Sequence, residues 1–231
     1  MMDYKTVSLS DQVFEHLETD ILSGKYRRGE IVTELQLCSE LGVSRTPVRE
    51  ALRLLEAHGL ASTLAGSGLV VTSLSRSEIS ELYFTWEELE AITARRAAKF
   101  ATDFEIGALQ ALHAQWDVSA SPETLSNINK QFHAALRYAA HNVFLLRALS
   151  TVHDSVSLLG TTTYTVPGRT AEIGAEHAAI VDAIAARDGE RAEAAMRAHI
   201  QRNGQLRMTL LMSIDESAAT PRHTHGPLGR G

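Results

Sequence analysis

Glu34-Leu35-Gln36-Leu37-Cys38-Ser39-Glu40-Leu41-Gly42-Val43-Ser44-Arg45-Thr46-Pro47-Val48-Arg49-Glu50-Ala51-Leu52 reads as a helix, a glycine turn and a second helix with arginines on its outer face. Thr33 is placed to cap the first helix, and Gln36 three residues on completes a capping box. Leu37 and Leu41, with Cys38 beside them, make an apolar stripe at helical spacing. Gly42 suits the turn, because a positive φ costs glycine little. Ser44 is a natural N-cap for the second helix, and Pro47 is tolerated in a first turn whose amides have no intrahelical acceptor. Within that helix Val48, Ala51, Leu52 and Leu55 face one way, while Arg45, Arg49 and Arg53 recur every four residues along an outward stripe. Gly59 closes it. Such a helix-turn-helix is a common device for setting a helix into the DNA major groove.

The flanks extend the motif. Leu60 to Leu64 and Leu69 to Thr72 are expected to form two short strands joined by Ala65-Gly66-Ser67-Gly68. Glycines there suit a hairpin that approaches a phosphate or the minor groove. Upstream, Val13, Leu17 and Ile21 repeat every four residues, and Gly24 ends that first helix. Three helices followed by a two-stranded wing make a winged helix-turn-helix.

This half resembles the GntR family of bacterial regulators over roughly residues 7–75, most specifically in Gly42-Val43-Ser44-Arg45-Thr46-Pro47-Val48-Arg49-Glu50-Ala51-Leu52. The resemblance implies that Ser44, Arg45, Thr46 and Arg49 contact DNA from the recognition helix and Gly66 from the wing tip. Two departures remove positive charge: many relatives carry arginine where this chain has Leu35, and a basic residue where it has Ser67.

Bulk composition does not announce a nucleic-acid partner. The 231-residue chain has a formal net charge of −6, and residues 1–76 hold eight Lys/Arg against ten Asp/Glu. Positive charge is therefore local, in Lys25, Arg27, Arg28 and the arginine row, which predicts a modest number of phosphate contacts and a moderate salt dependence. One such domain binds weakly alone, so a homodimer on a near-palindromic double-stranded operator is expected. Hydrophobic content of 44% is ordinary for a globular protein. With no leader, no apolar run long enough to span a bilayer and a single cysteine, Cys38, the chain is expected to be cytoplasmic, without disulfides or a membrane partner.

A boundary falls near Ser73-Leu74-Ser75-Arg76-Ser77, dividing a winged domain over 1–75 from a helical domain over 76–214. Ile79, Leu82, Trp86 and Leu89 open a helix that runs towards Phe100 through alanines. Thr102 with Glu105 makes a second capping box, and Ser121-Pro122 starts a helix carrying Leu125, Ile128, Phe132 and Leu136. His141-Asn142 breaks it before an apolar helix from about Val143 to Leu159. Two more helices are expected from about Arg169 and Glu190. The fold class is thus mainly α: a winged helix-turn-helix followed by an antiparallel bundle of six or seven helices. Residues 215–231, with Pro221, Pro227 and no apolar period, are expected to be a disordered tail whose His223 and His225 are solvated.

Histidines carry the second functional expectation. Asn129 and His133 sit four apart beside Phe132, His177 shares a face with Ile180 and Ile184, and His199 shares one with Ala192 and Met196. Three imidazoles converging in a bundle core suit a divalent transition metal. Hydrogen-bonded core histidines without metal are the plainer alternative. This half resembles the FCD effector-binding domain of the FadR branch of GntR regulators, over about residues 77–210. The likeness rests on Asn129-Lys130-Gln131-Phe132-His133, Glu176-His177, and Met196-Arg197-Ala198-His199-Ile200. It implies one Zn, Ni or Mn ion per subunit held by Asn129, His133, His177 and His199, with asparagine where metal-binding members carry aspartate. Glu176 is expected to point away from the site. Many FCD domains also carry an effector-gripping arginine at the position of Trp86. Trp86 is then either core or a wall of the effector pocket, and Arg137 is a candidate to supply the missing charge.

Together these readings point to a ligand-responsive DNA-binding regulator, a repressor controlled by a small organic metabolite. A constitutive DNA-binding protein whose bundle only dimerises is the alternative. A metal-dependent enzyme is more remote, since no general acid or base accompanies the histidines.

Overall fold

The computed structural model describes residues 8–64, 68–159 and 163–219, and the side chains among them through 212. Chain order is α1 (Leu9–Leu22), β1 (Ile31–Thr33), α2 (Glu34–Leu41), α3 (Arg45–Ala57), β2 (Ala61–Leu64) and β3 (Gly68–Val71), then α4 (Arg76–Phe100), α5 (Asp103–His113), α6 (Pro122–Ala139), α7 (Val143–Ser157), α8 (Arg169–Ala185) and α9 (Gly189–Ala219).

Local chemistry sets the helix starts. Thr33 with Gln36 and Thr102 with Glu105 form the expected capping boxes, and Ser8 with Asp11 and Ser75 with Glu78 add two more. Ser44 sits at the N-cap of α3 in extended conformation, but its side chain makes no capping hydrogen bond. Gly42 caps α2 at φ +66, in the left-handed region.

In the winged domain, Val13, Leu17 and Ile21 of α1 pack on Leu37 of α2 and on Val48, Ala51, Leu52 and Leu55 of α3. Burying side chains of this size contributes about 1.5–3 kcal/mol each. Cys38 is free and packs, half-buried, against the same core. The sheet has three strands rather than the expected two, in the order β1-β3-β2, all antiparallel. Ile31, Val32 and Thr33 supply the extra strand, pairing with Val70, Leu69 and Gly68. Three β-branched residues are too few to show alternation, which hid the strand. Gly68 lies where β1 and β3 meet, and a Cβ there would fall 2.2 Å from the Val32 carbonyl oxygen.

The bundle comprises six helices among the described residues, as expected. Its spine is α4, which packs along α9 and also meets α6, α7 and α8. Ala91, Ala94, Ala97 and Ala98 keep the buried face of α4 shallow, so neighbouring helices approach closely. Helix α9 continues to Ala219, through the first residues of the segment expected to be an unstructured tail. Nothing in the stretch before Ala219 breaks a helix, the prolines lying beyond it. Residues 220–231, including His223 and His225, lie outside the described residues.

Candidate nucleic-acid interface and histidine pocket

Ser44, Arg45, Thr46 and Arg49 are all exposed at the N-terminal end of α3, while Pro47 and Val48 beneath them are buried. A rigid helix therefore presents the four together, on the side away from the winged core. Arg49 is not free: its Nε donates to both oxygens of Glu34, at 3.1 and 3.0 Å. A shallow groove between α3 and the wing is lined by Arg49 and Arg53 but also by Glu34 and Glu56. Leu35 is 67% exposed on α2, so the position where many relatives place arginine is open to solvent. Gly66, expected at the wing tip, lies outside the described residues.

In the bundle, α6, α8 and α9 bring His133, His177 and His199 together, each almost wholly buried. One ring nitrogen from each lies within 4.8 Å of the others. Stacking holds the rings: Phe132 lies over His177 at 4.2 Å, and Trp116 meets it edge-on at 5.2 Å. Trp116 is itself fixed by a hydrogen bond from its Nε1 to the Thr170 carbonyl.

A carboxylate lies beside each of the other two rings. Glu176 Oε2 lies 2.6 Å from His199 Nδ1, and Arg169 donates to both Glu176 oxygens at 2.6 and 2.9 Å. Glu90, fully buried, places Oε1 3.6 Å from His133 Nδ1 and accepts from Trp86 Nε1 at 3.3 Å. The expectation that Glu176 points away is thus wrong. Arg169, about two turns earlier on α8, draws the carboxylate inward, a longer-range effect that the neighbouring residues do not reveal.

The electrostatics favour neutral imidazoles at His177 and His199. Burial, reinforced by neighbouring His199 and His133, holds His177 well below the ordinary imidazole value. Burial also lowers His199, outweighing the upward pull of Glu176. For Glu90 burial pushes upward, but His133, Arg137 and His153 outweigh it and keep the carboxyl below its ordinary value. Glu176 behaves alike, held down by His199 and Arg169 against burial.

These residues fit a metal. His177 Nε2 and His133 Nδ1 are buried without a hydrogen-bond partner, and His199 engages Glu176 through Nδ1, leaving its Nε2 for a ligand. Neutral imidazoles oriented by carboxylates are the donors that divalent transition metals take.

A cavity of about 320 Å³ opens beside the cluster, reached by His133 and His199. Asn129 lines it one turn before His133, where it can join the histidines. Trp86 resolves both of its alternatives: it is 4% exposed within the core and also walls the cavity. Arg137 is not among the residues lining it; its Nε donates to the His133 carbonyl of its own helix, and its charge acts on Glu90 and His153 nearby. The cations that do line it are Lys130 and Arg207, and Arg207 Nε is buried without a partner. Sequence reading missed Arg207 and Asn203, although His199, Asn203 and Arg207 follow one another every four residues on α9. It also missed His153 of α7, which packs edge-on to Trp86 at 5.7 Å.

Comparison with known proteins places both halves. Residues 9–71 match the model of bacterial regulatory proteins of the gntR family, and residues 81–202 match the FCD domain. The chain is 29% identical to the HTH-type transcriptional regulator YdhC of Bacillus subtilis, over 81% of its own length and 86% of that protein's. It is 30% identical to a Paenarthrobacter nicotinovorans protein named as transcriptional repressor of the D-xylose utilization operon, covering 84% and 86%. Among solved structures, Escherichia coli McbR/YncC superposes with a TM-score of 0.74 at 22% identity, over 89% of this chain and 100% of that one.

Proposed function

The chain belongs to the gntR family of bacterial regulators and carries an FCD domain behind its winged domain, and from that premise we propose a homodimeric repressor released by a small organic anion. DNA binding follows from the family; the ligand, metal and dimer are inferences. The observation that carries the ligand reading is the buried histidine triad beside a cavity of about 320 Å³. A bundle that served only to dimerise would need no such space, so the cavity weighs against a constitutive regulator.

His133, His177 and His199, with Asn129, would hold a divalent transition metal, which supplies a Lewis-acidic point for an effector's oxygens. Arg207 and Lys130 offer charge for a second anionic group, and Trp86 gives an apolar wall. Two winged domains on a dimer would read two half-sites of a near-palindromic operator in the cytoplasm. A shift of their placement on ligand binding requires different ligand affinities for two arrangements.

Elemental analysis after loading with Zn²⁺, Ni²⁺ or Mn²⁺ tests the metal, with about one ion per subunit expected. Its absence under every condition removes the metal from this reading. A labelled fragment of the chain's own promoter tests the rest, with specific binding in the nanomolar to sub-micromolar range expected.

A further inference from the structure

The cavity beside the histidines is not enclosed by the bundle alone. Leu22, the last residue of α1 in the winged domain, lines it together with His153, Val156 and Ser157 of α7. Leu22 also packs against the winged domain's core. One residue beyond α7, Leu158 is 5% exposed and belongs to that same core rather than to the bundle's. The last turn of α7 therefore has the cavity on one side and the DNA-binding domain on the other. A further contact reaches the recognition helix itself: Asp154 Oδ2 lies 3.8 Å from Nδ1 of His58, the C-cap residue of α3. His58 in turn packs edge-on to Phe14 of α1 at 4.9 Å.

We propose that the effector pocket is a two-domain site, in which Leu22 is a binding-wall residue and the end of α7 transmits occupancy to α3 within one chain. The proposal rests on the ligand-responsive reading above and adds where the ligand is sensed. An occupant that grows past His153 meets Leu22 directly, and a close-packed wall cannot yield without moving the element that carries it. Displacing Leu22 moves the C-terminal end of α1, which packs on α3. Loosening the seat of the winged domain lowers operator affinity, because two recognition helices no longer start from fixed positions. The lining combines polar groups, the histidines, Asn129 and Arg207, with apolar ones, Trp86, Val156 and Leu22. The ligand class that fits is an organic anion with a short apolar part that packs against Leu22 and Val156.

The test needs no effector. Ser157→Phe fills the cavity from α7, and Ser126→Trp fills it from α6 without altering the winged domain. Both full-length variants, checked for helical content by circular dichroism, are titrated onto the promoter fragment beside the parent. Each is expected to bind at least tenfold more weakly, a step of about 1.4 kcal/mol. Adding Leu22→Ala to either makes room and is expected to restore affinity to within threefold of the parent, an interaction that simple destabilisation would not produce. Should Ser157→Phe fail to fold, Ser126→Trp carries the same comparison. Affinity within twofold of the parent, or raised, in the folded variants overturns the shared wall, as does the absence of rescue. A parent chain that binds no promoter fragment overturns the DNA-binding reading beneath it as well.

Discussion

The Glu176 carboxylate stands between His199 Nδ1, 2.6 Å away, and the two guanidinium nitrogens of Arg169, at 2.6 and 2.9 Å. It thus fixes one candidate ligand and neutralises a cation whose side chain is 0% exposed. Glu176→Gln keeps the shape but removes the charge. Metal affinity is expected to fall by about 10–100-fold, the usual cost of losing a carboxylate behind a histidine ligand. Competition against a chromophoric chelator reads the change, and equal affinities would mean that His199 does not ligate.

Asn129→Asp should act in the opposite direction. Asn129 lines the cavity one turn before His133 and offers an oxygen without charge. A carboxylate there adds a hard anionic donor, so zinc and manganese should both bind more tightly, by at least tenfold. Isothermal titration of the metal-free protein measures it. Unchanged binding would place Asn129 outside the coordination sphere.

Acid should weaken the bundle through His153. Burial, helped by the charges of Arg137 and His133, pushes its value down to about 4. In the unfolded chain the same imidazole takes up a proton near pH 6.5. The unfolded state therefore binds more protons between those limits, and stability present above pH 6.5 is lost as pH falls towards about 4. In EDTA, urea unfolding at pH 5 and pH 7 should differ by about 1–2 kcal/mol more in the parent than in His153→Asn. Identical pH slopes would show that His153 is not held neutral.

On the DNA side, Arg45→Ala with Arg49→Ala should reduce promoter binding at least a hundredfold. Leu35→Arg restores a cation at a position that is 67% exposed and should steepen the salt dependence by about 0.9 in log–log slope. Fluorescence anisotropy across a potassium chloride series separates the two effects. Full binding by the double alanine variant would move the interface elsewhere.

Gly68→Ala should unfold the wing, since its Cβ would meet the Val32 carbonyl oxygen at 2.2 Å in a backbone at φ +155. Backbone cannot retreat as a flexible side chain can, so a loss of about 2–4 kcal/mol is expected. Proteolysis within residues 60–72 reports it directly, and a parent-like digestion pattern would contradict the three-stranded register.

Much of this molecule was written in local pattern. The capping residues Thr33, Thr102 and Ser121 and the turn at Gly42 marked helix ends because those signals act over three or four residues. The triad was legible because each histidine shared a stripe with buried apolar neighbours, and burial keeps those stripes inward. What escaped was set across the chain. Strand β1 exists because β3 offers it a ladder some 37 residues away, as the Val32–Leu69 pairing illustrates. Glu176 turns inward because of Arg169, and Arg207 reaches the cavity because α9 runs unbroken past His199. Leu22 carried no sign at all, since nothing in a leucine at a helix end declares which second domain it will touch.

The chain's two tryptophans both border the histidine cluster: Trp86 hydrogen-bonds to Glu90 beside His133, and Trp116 meets His177 edge-on. Tryptophan emission, excited at wavelengths where tyrosine does not absorb, accordingly originates beside the histidine cluster and nowhere in the reading head. Quenching or a spectral shift on adding a compound would report pocket occupancy from the unlabelled native chain, leaving DNA engagement to be followed by a separate dye.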